Sequence, residues 1–200
     1  MNPLEIVQRA RIHFGEETAN TISDTTMKEW VNDAMKELYG ALYLYLPPEE
    51  LKPFIRTDPE TITDGYFEVP DLWDQILTVS EDGVNLFEIP PDSIRAIDTH
   101  MMFAPTQSVW ARRDNSLWVR PDTVTSVDIK RLQPPDPLDI TPSTGDFEEG
   151  SADIESFTPR WHQGLVWLVT SYAYAQEEDL QQAEHYRGRM MQMLPAPAEA

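Results

Sequence analysis

Residues 109–120 read VWARRDNSLWVR and give the clearest indication of fold in the chain. Two short runs of β-branched and aromatic residues flank the polar link Arg113-Asp114-Asn115-Ser116. A link of this kind between two strand-forming runs is typical of a β-hairpin. The hairpin ends at Pro121, and residues 127–131 alternate apolar and polar side chains as a further strand does. We therefore predict a small antiparallel sheet in the middle of the chain.

The distribution of proline separates this middle part from the two ends. Of the 17 prolines, 14 lie between residues 47 and 159, whereas residues 4–46 and 160–194 contain none. Proline breaks helix interiors and suits strand edges and turns, so the ends can form long helices and the middle cannot. The β-branched and aromatic segments of the middle predict strands at residues 66–69, 86–89, 94–103, 108–112, 117–120 and 125–132.

Both ends of the chain predict helices. The first helix begins near Pro3 and ends near Phe14, and the second begins after Ser23 and ends before Pro47. The C-terminal segment, residues 160–194, begins as a buried helix, and capping residues at Glu177-Glu178-Asp179 indicate either its continuation or a second helix. The predicted fold class is α+β, a helical bundle from the N- and C-terminal segments with a small antiparallel β-region inserted in the middle. We expect one domain over residues 1–200, with helices in 4–46, the β-region in 60–133, an arm in 134–159 and helices in 160–194.

The predicted arm, residues 134–159, is rich in proline and contains seven acidic residues and no basic residue. A segment of this composition buries little apolar surface, so we predict a loop or an extended arm. Its length inside a compact domain suggests a role at a surface or an interface.

Composition excludes several classes of protein. Thirty-five acidic and 15 basic residues give a formal net charge of −20, which argues against a free nucleic-acid-binding protein. The absence of cysteine excludes disulfide scaffolds, thiol nucleophiles and cysteine-ligated metals. The most apolar window, residues 161–175, is shorter than the roughly 20 residues that cross a bilayer. The N-terminus carries Glu5 and no apolar run, so we expect synthesis in a cytoplasm without export and no membrane partner.

The sequence gives no positive support for an enzyme. None of the four histidines belongs to an HxH or HExxH motif, and GxSxG, P-loop and GxGxxG motifs are absent. The paired acids Glu49-Glu50, Glu148-Glu149 and Glu177-Glu178 are adjacent and so do not share a face of a helix or strand. His162 is expected to be partly buried rather than a ligand. We expect no catalytic, metal or cofactor site.

Two readings of the basic residues in the β-region remain open at this point. Trp110 and Trp118, interleaved with arginines, resemble the stacking residues of single-strand nucleic-acid binders. Alternatively, the tryptophans fill the core of the sheet and the arginines lie in solvent, which is the reading we favour. A third use of the same charges is a contact between subunits, in which a basic hairpin meets an acidic arm head to tail. The basic residues are Arg95, Arg112, Arg113, Arg120, Lys130 and Arg131.

The order of elements, with several local motifs, resembles the head–tail adaptor proteins of tailed bacteriophages, also called connector or head-completion proteins. The family includes the tail-tube adaptors of short-tailed phages. The motifs are the helix entry ISD at residues 22–24, WVNDA at 30–34, FEIPPDSIRAI at 87–97, LWVRP at 117–121, VDIKR at 127–131, and Pro159 with WH at 161–162 and LV at 165–166. The resemblance covers about residues 4–194.

The resemblance implies a structural virion protein without cofactor or turnover. Such proteins form a ring, typically a dodecamer, between the portal and the tail at the genome-exit vertex. The expected partners are other copies of the chain, the portal protein, and a tail tube, nozzle or tail-completion protein. DNA passes through the ring without specific binding, and an acidic lumen repels its phosphates. The alternatives are another neck, tail-completion or minor head protein and, less favoured, a single-strand-binding module.

Two sets of residues are the candidate interfaces. For the contact between subunits they are Arg112, Arg113, Arg120, Asp146, Glu148 and Glu149. For the portal, the apolar end of the last helix and the arginines before it are the candidates: Arg187, Arg189, Met190, Met191, Met193 and Leu194. Methionine packs adaptably against irregular partner surfaces. The alternative is that these methionines cover the bundle of their own chain.

Overall fold

A computed structural model describes residues 1–16, 21–47, 51–70, 75–100, 108–138 and 157–195, with the backbone alone at 95, 96 and 98–100. The chain forms two compact units: Met1–Pro53 with Pro135–Ala200, and Phe54–Pro134. The predicted fold class is confirmed, with helices in the terminal segments and strands in the middle. The β unit begins at Phe54 rather than near residue 60.

In the described residues of the first unit there are four helices: α1 (Pro3–Phe14), α2 (Asp24–Tyr45), α4 (Pro159–Gln176) and α5 (Leu180–Met191). The N-terminal ends of α1 and α2 are capped by Asn2 and Ser23, whose side chains accept hydrogen bonds from Glu5 N and Thr26 N. Helix α4 contacts α1, α2 and α5. It is buried along most of its length, as its apolar sequence requires.

A buried arginine of α1 binds residues that precede and begin α2. The Arg11 guanidinium donates to Glu16 Oε2 at 2.9 Å, to Asp24 Oδ1 at 2.6 Å and to the carbonyl oxygen of Ile22 at 2.8 Å. The side chains of Arg11 and Glu16 are only 5% and 8% exposed. A charge removed from water in this way is tolerated only when it is paired. The network therefore fixes how the chain turns from α1 into α2.

Two four-stranded sheets form the second unit, in the orders β1-β8-β3-β4 and β2-β7-β6-β5. Their facing sides share one core that includes Val79, Ile129, Trp110 and Val119. All pairings are antiparallel except that of β5 with β6, which is parallel. The strands are β1 (Ile55–Thr61), β2 (Tyr66–Glu68), β3 (Gln75–Glu81), β4 (Val84–Asn85), β5 (Phe87–Glu88), β6 (Val109–Arg113), β7 (Ser116–Arg120) and β8 (Ser126–Leu132).

The strand predicted at residues 94–103 is wrong. Residues Pro91–His100 form a helix, α3, which packs beside β6, and residues 101–103 lie outside the described part of the chain. Pro91 takes the first helical position, where its missing N–H costs nothing. Ile94 and Ile97 are three residues apart, which is a helical spacing, and Ile94 is buried.

The prediction of one small sheet also missed three strands, β1, β3 and β4. Strand β1 contains Pro59 between Asp58 and Glu60, which is a poor sequence for a strand. It forms because it lies at the edge of its sheet, where proline and inward-facing charges are tolerated and block pairing with other chains. Strand β3 contains the run Ile76-Leu77-Thr78-Val79, whose residue types are typical of a strand.

The carboxyl group of Glu60 supplies a pH-dependent prediction. Burial raises the pKa of Glu60 above its usual 4.5, Arg131 partly opposes this and Asp58 adds to it. Because the folded-state pKa is raised, the wild-type protein loses stability as the pH rises through that pKa. Glu60→Gln is expected to unfold at higher urea concentration than wild type at neutral pH, and the difference is expected to disappear below pH 4.5. Glu68→Gln, at an exposed position, is the control; a gain that persists in acid would contradict the prediction.

Candidate interaction surfaces

The C-terminal helix α5 is a largely exposed helix on the first unit. Met190 is its only buried residue, at 1% exposure, whereas Leu180 and Met191 are 65% and 44% exposed. A Cβ atom placed on Gly164 of α4 would lie 3.6 Å from Met190 Cγ, so Met190 packs into its own bundle. Helix α5 therefore presents most of its surface to solvent and one residue to the core.

The predicted portal residues differ in burial and in the contacts they make. Met190 belongs to the core, which favours the alternative that it covers its own bundle. Arg187 donates to Glu37 Oε1 at 2.6 Å, and Arg189 lies 5.6 Å from the ring centroid of Trp167. Met193 and Leu194 are half-buried, and Met191 is the exposed apolar residue of the set. A truncation that removes residues 187–200 would also remove the core side chain of Met190. Single substitutions therefore test the predicted portal contact more sharply than this truncation does.

The predicted hairpin at residues 109–120 is confirmed as β6 and β7. Arg113 pairs directly with Ser116, so the turn consists of Asp114 and Asn115, and Asp114 has a φ of 51°. Aspartate tolerates this left-handed conformation better than most residues. Arg113 is exposed and Arg112 is half-exposed at the end of the hairpin. The basic residues predicted for a subunit contact are thus available at this turn.

Arg120 differs from the other two interface arginines because it is buried in its own unit. Its Nη1 donates to the carbonyl oxygens of Gly65 at 3.2 Å and Val119 at 2.9 Å, and it pairs with Asp122 at 2.8 Å. Its guanidinium also lies 5.4 Å from the ring centroid of Trp118. These contacts assign Arg120 to the internal structure of the β unit rather than to a contact between subunits.

The two tryptophans of the hairpin lie on opposite faces of their sheet. Trp110 pairs with Val119 in the core, whereas Trp118 pairs with Ala111 on the other face. There Trp118 lies 5.6 Å from the ring of Tyr66 and beneath Arg120. The reading that both tryptophans fill the core is therefore right for Trp110 and wrong for Trp118. Residues on opposite faces do not form one stacking platform, which argues against a single-strand-binding surface built on this pair.

One end of the acidic arm is hydrogen-bonded to α2, and the residue at its other end is buried. Asn32 Nδ2 donates to the carbonyl oxygen of Leu138 at 3.0 Å, and Leu138 N donates to Asn32 Oδ1 at 2.7 Å. Leu138 and Phe157 are 3% and 1% exposed. The predicted interface acids Asp146, Glu148 and Glu149 lie outside the described residues. The Leu138 end of the arm is thus held against α2.

A shallow groove of about 400 Å³ lies between α2 and the C-terminal end of α4, where the sequence predicted no site. Trp30, Asp33, Tyr172, Ala175 and Gln176 line it. The Tyr172 hydroxyl donates to Glu37 Oε2 at 2.8 Å, and burial, helped by this hydrogen bond, raises the pKa of Tyr172. The spacing of Trp30 and Asp33 places them on one helix face, but no local signal relates either residue to Tyr172.

A second groove, of about 370 Å³, lies in the β unit beside β4 and β5. Val84 and Phe87 are 67% and 68% exposed there, and Ser108 donates to Glu81 Oε2 at 3.0 Å. The groove carries exposed apolar residues next to carboxylates. It has no counterpart among the predicted site residues.

The chemistry-bearing residues of the described segments form no metal-binding cluster of His, Asp or Glu. His162 is buried at 6% exposure, more fully than the partial burial that the sequence suggested. The His13 ring contacts the Tyr186 ring at 5.8 Å, in an aromatic cluster with Phe14, Tyr174 and His185. The ring contacts of His13 and His185 therefore indicate packing.

Comparison with protein-family models gives no match, and comparison with curated proteins gives no significant relative. Within the described segments, no helix has the length and apolar character needed to cross a membrane.

Proposed function

We propose that this protein is a structural adaptor of a tailed-phage neck. Copies of the chain form a ring between the portal and the tail at the genome-exit vertex. The ring surrounds the DNA channel and provides a docking surface for tail components. It carries out no chemical reaction, and its location is the virion.

The observation that carries the proposal is the order of the two units in the chain. Helices α1 and α2 precede the inserted β unit, and α4 and α5 follow it and complete the same bundle. This is the layout expected from the resemblance to head–tail adaptors, in which a helical bundle forms the core of each subunit and a small β-region faces its neighbours. The acidity of the chain also suits a channel for DNA, since a net charge of −20 repels phosphates.

The proposal makes the hairpin arginines a determinant of ring assembly. Reversal of both charges in Arg112→Glu/Arg113→Glu is expected to weaken assembly at low salt, because each exposed pair contributes about 0.2–1 kcal/mol and a ring repeats the contact in every subunit. High salt is expected to weaken the wild-type ring in the same direction. Light scattering coupled to size-exclusion chromatography measures both effects.

The matched control is Lys130→Glu, at an exposed position of β8 in the same unit. It changes the net charge in the same direction but not at the hairpin. Unchanged assembly of the double variant at low salt would remove the hairpin from the ring contact. An equal loss in the Lys130 variant would show a general effect of charge instead.

A further inference from the structure

The groove between α2 and α4 combines three features that favour a cation. The first is the Asp33 carboxylate, which is exposed and has no hydrogen bond or ion pair within the described residues. Its neighbour Glu37 differs, because Arg187 and Tyr172 occupy its two oxygens. Asp33 therefore offers an uncompensated negative charge at the groove.

The second feature is the C-terminal end of α4. Ala175 and Gln176, the last residues of this helix, line the groove, and the last turn contains no basic residue. The C-terminal end of a helix carries the negative end of its dipole, which is stabilised by a nearby cation. The end of α4 and the Asp33 carboxylate thus both favour a cation in the groove.

The third feature is an aromatic wall. The rings of Trp30 and Tyr172 meet edge to face with their centroids 6.3 Å apart. Tyr172 stays a neutral phenol whose hydroxyl donates to Glu37. A guanidinium stacks on aromatic faces and also binds a carboxylate through two donors, whereas an ammonium is a more strongly hydrated point charge. The groove therefore suits an arginine side chain better than a lysine.

The basic residues of the described chain leave few arginines free to enter it. Arg11, Arg120, Arg131 and Arg187 are ion-paired, and Arg160 and Arg189 lie over tryptophan rings. Arg9, Arg112 and Arg113 have no such partner within the described residues, and Arg113 is the one of the three that is exposed beside a turn, that of the β6–β7 hairpin. In a chain of charge −20, an unpaired arginine at a turn is complementary to an unpaired aspartate in an aromatic groove.

We propose that Arg113 of one copy binds in the groove of a second copy, against Asp33, Trp30 and Tyr172. This inference rests on the proposed ring, because it names the contact between its subunits. Donor and acceptor are different surfaces, so the contact is head to tail and closes into a ring or continues as a chain. In this contact the groove, and not the acidic arm, is the surface that accepts the hairpin.

The absence of cysteine makes cross-linking the direct test. The variant Asn115→Cys/Gln176→Cys keeps Arg113 and Asp33 and places one cysteine in the turn beside Arg113 and the other in the lining of the groove. A short bismaleimide is expected to join successive copies of this variant into a ladder of covalent oligomers. Each single-cysteine variant and Gln8→Cys/Asn115→Cys, whose Gln8 is exposed on α1, are expected to stay monomeric on a denaturing gel. A double variant that stays monomeric or stops at dimers would overturn the proposal.

Charge exchange provides a second readout. Asp33→Arg and Arg113→Asp are each expected to raise the concentration needed for assembly by about tenfold or more, and the double exchange is expected to restore it. If Asp146→Asn/Glu148→Gln/Glu149→Gln blocks assembly and Asp33→Asn does not, the arm is the acceptor and the inference is wrong. If wild-type rings bind the portal but the double-cysteine variant gives no ladder, this inference alone is refuted. A ladder without portal binding would refute the proposed function alone.

Discussion

Replacement of Arg11 by methionine is expected to lower the free energy of unfolding by about 3–5 kcal/mol, which is a large part of the stability of an ordinary domain. Methionine fills much of the volume but removes the ion pair of Arg11 with Glu16, whose side chain is 8% exposed. It also removes the hydrogen bonds to Asp24 and to the carbonyl oxygen of Ile22. Urea unfolding followed by helical circular dichroism measures the loss.

The matched control is Arg9→Met, at an exposed position of the same helix, which is expected to change stability by no more than about 0.5 kcal/mol. The double variant Arg11→Met/Glu16→Gln is expected to recover part of the loss, because it also removes the buried carboxylate charge that Arg11 had paired. Equal effects of the Arg11 and Arg9 variants would contradict a structural role for the buried network.

The adjacent methionines at the end of α5 give the second large effect. Met190→Ala is expected to destabilise the protein by about 2–5 kcal/mol, because this side chain is 1% exposed and its loss leaves a cavity beside Gly164. Met191→Ala, at 44% exposure, is expected to change stability by less than about 0.5 kcal/mol. Thermal or urea unfolding of the two variants measures the contrast.

The variants Met190→Ala and Met191→Ala also distinguish an effect on folding from an effect on portal binding. If the C-terminal surface binds the portal, Met191→Ala is expected to weaken portal binding while its unfolding curve matches wild type. Met190→Ala is expected to weaken portal binding and to shift the unfolding curve, because it destabilises the fold. Wild-type portal binding by a folded Met191→Ala/Leu194→Ala variant would remove this surface from the portal interface.

The helices were predictable because their signals are local. Proline-free segments, the cap at Ser23 and the stops at Gly15 and Pro47 set their bounds without reference to the rest of the chain. Helix α3 was not predictable in the same way, because Ile94 and Ile97 are β-branched residues typical of strands, and their helical spacing of three is the weaker signal. Strand β1 was missed because its proline and acids are tolerated only at a sheet edge, which is a property of the assembled sheet.

The interaction surfaces were less predictable, since burial depends on partners distant in the sequence. Nothing local distinguishes Met190 from Met191, yet one packs on Gly164 and the other faces solvent. Arg120 resembles Arg112 and Arg113 in sequence, but Gly65 and Asp122 bind it inside the β unit. The groove at Asp33 needs α4 to bring Tyr172 to α2.

The proposal that the chain is a neck adaptor is tested most directly by a native mass measurement of the purified protein, alone and mixed with portal rings of the same phage. The account predicts a discrete complex in which several copies of the chain bind each portal ring. The complex is expected at low salt and to weaken as salt is added. A mixture in which the two proteins keep their separate masses at low salt would contradict the account.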